Sequence, residues 1–123
     1  MTATTLAQEQ LDAYNARDLE RFLACFAEDV RVIRLPDMAV LIEGKAAFGA
    51  FYAGERFVHP DLRAELLNRV VIGSSVIDHE LIHGLGATPI EMAVMLVERD
   101  GLLATVFSIP AKSPKQALTG TSS

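Results

Sequence analysis

Five consecutive residues, His79-Glu80-Leu81-Ile82-His83, place two imidazoles and a carboxylate close together. On a helix, residues four apart share a face, so the two rings could ligate one zinc ion while the glutamate activates a water. On a strand the same rings stand about 13 to 14 Å apart, too far for one ion held ~2.1 Å from each nitrogen. The chemistry turns on the element, and alternation favours the strand. Ile77, His79, Leu81 and His83 form one face, and Val76, Asp78, Glu80 and Ile82 form the other. No metal is expected at His79 and His83. Instead His79, set among Ile77 and Leu81, is expected to face inward, where an imidazole can move a proton.

The pattern also matches the zinc metallopeptidases, and Gly86 follows at the metzincin spacing. Position 89, where a third histidine would complete that site, is Pro89. On the preceding strand Asn68 falls in line with Leu66 and Val70 and interrupts an apolar face, as His79 does on its own strand. The single Cys25 cannot form an internal bridge and reads as a buried structural thiol.

These side chains need a scaffold, and 123 residues with 50% hydrophobic content suffice for one compact core without disulfide or metal. Residues 1–110 are expected to form one domain, with 111–123 as a polar, disordered tail. A net charge of −5 without a clustered basic stripe argues against nucleic acid. No apolar run approaches the roughly 20 residues that span a bilayer, and no signal-peptide pattern opens the chain. A soluble, cytoplasmic protein that needs no cofactor is expected.

The elements follow from periodicity. Thr4 or Thr5 is expected to cap a helix running to about Ala16, with Ala7, Leu11 and Tyr14 on one stripe. Asp18 caps a second, in which Leu19, Phe22, Leu23 and Phe26 follow amphipathic spacing. From Asp29 the period becomes two, with Val30, Val32 and Arg34 on one side of a strand. A short strand from Ala39 to Glu43 leads through Gly44 into a third helix carrying Ala47, Phe48, Phe51 and Tyr52 and ending near Gly54. Four strands then form a meander: Leu62 to Ile72, Val76 to His83, Ile90 to Arg99 and Leu102 to Ile109. The third is apolar on both faces, with Met92, Val94 and Leu96 opposite Ala93, Met95 and Val97. Helices can cover only one face, so a second copy of the chain is expected on the other.

This order of elements resembles the NTF2-like superfamily, and within it the SnoaL-like and ketosteroid-isomerase-like proteins. The resemblance covers about residues 5 to 110. It is carried by Tyr14-Asn15-Ala16-Arg17-Asp18-Leu19, Phe26-Ala27-Glu28-Asp29-Val30, Glu43-Gly44-Lys45-Ala46-Ala47, Phe51-Tyr52 and Arg99-Asp100-Gly101-Leu102. It implies an α+β cone, with three N-terminal helices packed in a strongly curved mixed or antiparallel sheet around a pocket. The isomerases' tyrosine, late-strand acid and first-strand aspartate fall on or near Gln10, Met95 and Arg34. None of these supplies the family's group, because arginine stays protonated and methionine cannot donate to an enolate. The family's isomerase mechanism is therefore not expected, and no equivalent of the cyclases' acidic residue can be placed.

The same overlay implies that Arg34 points into the pocket. There, with His79, Asn68 and Tyr52, and with Tyr14 and Met95 in the wall, it would fix the polar end of an apolar ligand. Two function classes follow. One is an isomerase, hydratase or cyclase in which His79 moves a proton and Arg34 stabilises negative charge. The other is a noncatalytic module for an apolar acid or lipid-like compound, with Arg34 as counterion.

Overall fold

A computed structural model of the chain describes residues 1–111. All of the expected tail but Ala111 lies outside the described residues. Helix α1 spans Ala3–Asn15, and its cap is Thr2, whose hydroxyl accepts from the Thr5 backbone N–H. Asp18 caps α2, which is only five residues long, Leu19–Leu23. Phe26 therefore opens the first strand instead of closing the second helix, and β1 runs Phe26–Arg34. Phe26 remains fully buried, so its apolar spacing reported burial correctly while misassigning the element.

Strand β2 (Ala39–Glu43) leads into α3 (Lys45–Phe51), which continues as a π-helical turn over Tyr52–Arg56. The remaining strands are β3 (Arg63–Ile72), β4 (Ser75–His83), β5 (Ile90–Arg99) and β6 (Leu102–Pro110). They form one mixed sheet in the order β2-β1-β6-β5-β4-β3. Only β1 and β6 pair in parallel. At the end of β4, Gly84 adopts φ +92°, and a Cβ there would stand 2.4 Å from the Asp61 carbonyl oxygen. Glycine is thus required where this turn passes the start of β3.

The three helices pack on one face of the sheet. Phe22, Phe26 and Phe48, all fully buried, join α2, β1 and α3, with the Phe22 and Phe48 rings stacked at 5.8 Å. Inward residues alternate along the strands: Val30 and Val32 on β1, Val76, Asp78, Glu80 and Ile82 on β4, and Leu96 on β5. On β3 the alternation is broken. Leu66 pairs with Glu80, but Asn68 pairs with His79 and Arg69 with Asp78, so the register slips across Leu67. This bulge exchanges the two faces partway along the strand.

Candidate functional site

Between the helices and the inner sheet face lies a cavity of about 330 Å³, at the lower end of the ~300–1,000 Å³ usual for ligand pockets. Its wall is mostly apolar, with Phe22, Phe26 and Phe48 on one side and Met92, Val94 and Leu96 of β5 on another. Five polar side chains interrupt it: Gln10, Tyr14, Tyr52, Arg56 and Glu80, with Ser108 at the β6 end. Among them Glu80 is the one acid and Arg56 the one base.

Glu80 is 6% exposed. Among the described residues its carboxyl makes no hydrogen bond, and neither does the Tyr52 hydroxyl, yet no buried polar side-chain atom is left without a partner. Both groups must therefore reach open space, and the space beside them is the cavity. Burial raises the Glu80 carboxyl to about 7, with the neighbouring Asp78 adding to the rise while Arg69 and Arg56 oppose it. Asp78 is fully buried and satisfied by a bidentate pair with Arg69, at 2.7 and 3.0 Å. Of the two, it is Glu80 whose carboxyl opens on the cavity.

The tyrosines flank a cation. Their rings meet edge to face with centroids 6.2 Å apart, and Arg56 Nη1 donates to the Tyr14 hydroxyl at 3.2 Å. The Arg56 guanidinium lies 5.4 Å from the Phe51 ring centroid and 5.9 Å from that of Tyr52. Burial raises the Tyr14 hydroxyl and pushes that of Tyr52 up to about 12, so both remain protonated donors around neutrality. Because Tyr14 accepts from Arg56, its own O–H is left to donate elsewhere.

Of the residues expected at the site, the structure brings Tyr14 and Tyr52 together and places the other four outside. His79 is on the outer sheet face, where Nε2 lies 2.7 Å from Glu91. His83 shares that face and makes its own contact with Glu65 at 2.9 Å, so the two imidazoles serve separate carboxylates. Alternation separates two faces without saying which is inward. The greater apolar content of Ile77 and Leu81 pointed to the wrong one, since Asp78 is paired by Arg69 and Glu80 opens on the cavity. Asn68, turned out by the bulge at Leu67, is exposed and, among the described residues, accepts only from the Arg69 backbone N–H. Met95 lies on the outer face of β5, paired with Ile77 and Phe107. Arg34 follows Val32 along β1 but stands at the strand end, where its guanidinium forms a fork with Asp37 at 2.7 and 3.2 Å outside the cavity wall.

The residues missed were Glu80, Arg56 and Gln10. The signal for Glu80 lies in its inward neighbours Val76 and Ile82 together with Arg69, which can pair with Asp78, the other acid on that face. Arg56 carried no sequence signal, because it reaches the cavity through a π-helical turn that no amphipathic spacing announces.

The chain matches the model of the SnoaL-like domain over residues 7–106. No curated protein matches it in sequence. Among solved structures, a protein of Kribbella flavida DSM 17836 provisionally assigned as a ketosteroid isomerase has a TM-score of 0.77 and 25% identity, covering 90% of this chain and 78% of that one. A protein of Pseudomonas putida KT2440 provisionally assigned as a polyketide cyclase has a TM-score of 0.68 and 24% identity over 97% of each chain. An NTF2-like protein of unknown function from Cytophaga hutchinsonii ATCC 33406 reaches 0.77 at 14% identity over 96% of each. The last two are likenesses of fold: three helices on a six-stranded mixed sheet.

Proposed function

The chain belongs to the family of SnoaL-like domains, and on that premise we propose that its cavity performs acid–base chemistry on a small apolar molecule bearing a carbonyl-type oxygen. The observation that carries this reading is the Glu80 carboxyl, unpartnered in an apolar wall and poised near neutral pH. The similar proteins provisionally assigned as an isomerase and a cyclase point to the same reaction class.

In this reading the Glu80 carboxylate takes a proton from carbon beside the carbonyl. The C–H bond breaks, its electron pair becomes the enolate, and the developing negative charge on oxygen is held by hydrogen bonds from the Tyr52 and Tyr14 hydroxyls. Where a C=C bond is conjugated with the enolate, return of the proton from Glu80 to the far end of that bond shifts the double bond into conjugation with the carbonyl and completes an isomerisation. Alternatively the enolate carbon attacks a second carbonyl carbon of the same molecule: the C–C bond forms, the C=O π pair moves to oxygen, and that oxygen takes the proton from Glu80, which completes a cyclisation. The chemistry resembles what the family's isomerases do, with the base on β4 in place of the first strand.

The test is deuterium exchange into a panel of cyclic ketones, followed by NMR in D₂O. Exchange should be catalysed by the natural chain and fall by about 10²–10⁴-fold in Glu80→Gln. Equal exchange in the variant would overturn the assignment of Glu80. Tight ketone binding without any exchange would favour the noncatalytic binding module.

A further inference from the structure

Arg56 differs from the other arginines that hold fixed partners. Arg21, Arg34, Arg69 and Arg99 each contact a carboxylate within 3 Å. Among the described residues Arg56 forms no salt bridge, although it is half-buried and is the only base in the cavity wall. Its position is nonetheless fixed, by the hydrogen bond to Tyr14 and by the rings of Phe51 and Tyr52. One of five N–H donors is used on Tyr14, which leaves most of the fork available. A partly desolvated guanidinium without a counterion is costly, and a planar fork is shaped for a carboxylate.

Resting on the reading of this cavity as the ligand site, we infer that its occupant carries a carboxylate on an apolar body, and that Arg56 binds that group. The aromatic wall takes the apolar body and the size of the cavity limits it to a small one. Glu80 does not compete for Arg56 while it holds its proton. The charged and titratable groups facing Glu80 are Asp78 on its own strand, Arg69 on β3, Arg56 on the π-helical turn, and the hydroxyls of Tyr14 on α1 and Tyr52. An anion bound beside it favours the protonated form, so binding should take up a proton near neutrality and weaken as pH rises through about 7.

The experiment is calorimetric titration of the full chain with phenylbutyrate and with phenylbutanol, its uncharged counterpart, at about pH 6, where Glu80 is largely protonated. Phenylbutyrate should bind more tightly. Arg56→Met should weaken it by about 10–100-fold, the worth of a charge-assisted hydrogen bond, and leave phenylbutanol within about twofold. Phenylbutanol binding thereby reports that the variant has folded. Arg56→Lys should restore part of the preference. Glu80→Gln should keep the preference for the acid while removing its decline with pH, so loss of proton transfer and loss of anion recognition are separable. No preference in the natural chain, equal weakening of both probes in Arg56→Met, or no binding of either probe at ~1 mM would overturn the inference.

Discussion

Glu80 resists ionisation because it is buried between its apolar cross-strand partners Leu66 and Met92, and among the described residues no hydrogen-bond donor replaces the water its carboxyl has lost. This burdens the fold in one pH window. The native carboxyl holds its proton up to about 7, whereas the same group in an unfolded chain releases it near 4.5. The unfolded state binds fewer protons between those values, so stability falls as pH rises through the window and is flat above it. The full effect is roughly 3 kcal/mol. Thermal denaturation at about pH 5 and pH 8 should show Glu80→Gln gaining on the natural chain at the higher pH by an amount of this order. Equal pH dependence in the two proteins would place Glu80 in water. In the sequence this residue lies inside a motif whose two histidines carry the more evident chemistry. The segment is a strand, as its alternation indicates, but a strand has two faces and the more apolar one looks outward.

The β3–β4 pair shows what periodicity can and cannot report. All four meander strands were legible from alternation and from turns at Gly73 and Gly101, and so were three helices with Asp18 as a cap. The bulge at Leu67 was not, because a one-residue slip leaves no compositional trace and shows only in which partners meet. Asn68 is turned out by it, and Arg69 is turned in to meet Asp78. Arg69→Met should therefore destabilise the protein by about 3–5 kcal/mol by stranding a fully buried carboxylate. Adding Asp78→Leu should recover much of that loss in urea unfolding, since a well-packed apolar pair can replace a buried ion pair. If the single variant costs less than about 1 kcal/mol, the pair is solvated and the register across the bulge is wrong.

Across the whole sheet the outer face carries a continuous apolar row. Direct cross-strand partners run Val70, Ile77, Met95, Phe107 and Ile33, one from each of β3, β4, β5, β6 and β1. Such a row extends about 19 Å, and its β3 end at Val70 is 45% exposed. We propose that a second copy of the chain covers this face, the occupant expected from the two apolar sides of β5. Sedimentation at tens of micromolar, an order-of-magnitude working concentration, should show two chains for the natural protein and one for Met95→Glu, which places a charge in the middle of the row. A monomeric natural protein would remove the proposal. That β5 is apolar on both sides was legible, but which side enclosed the cavity required the positions of the helices.

The two tyrosines have a spectroscopic consequence. The chain contains no tryptophan and two tyrosines, and both stand in the cavity wall. All of its intrinsic tyrosine fluorescence therefore originates from the lining of the cavity. A molecule entering there must change the surroundings of every emitting ring at once, and one binding on the outer sheet face leaves both untouched. The unlabelled protein thus carries its own optical gauge of occupancy, with no tyrosine emission from elsewhere in the fold.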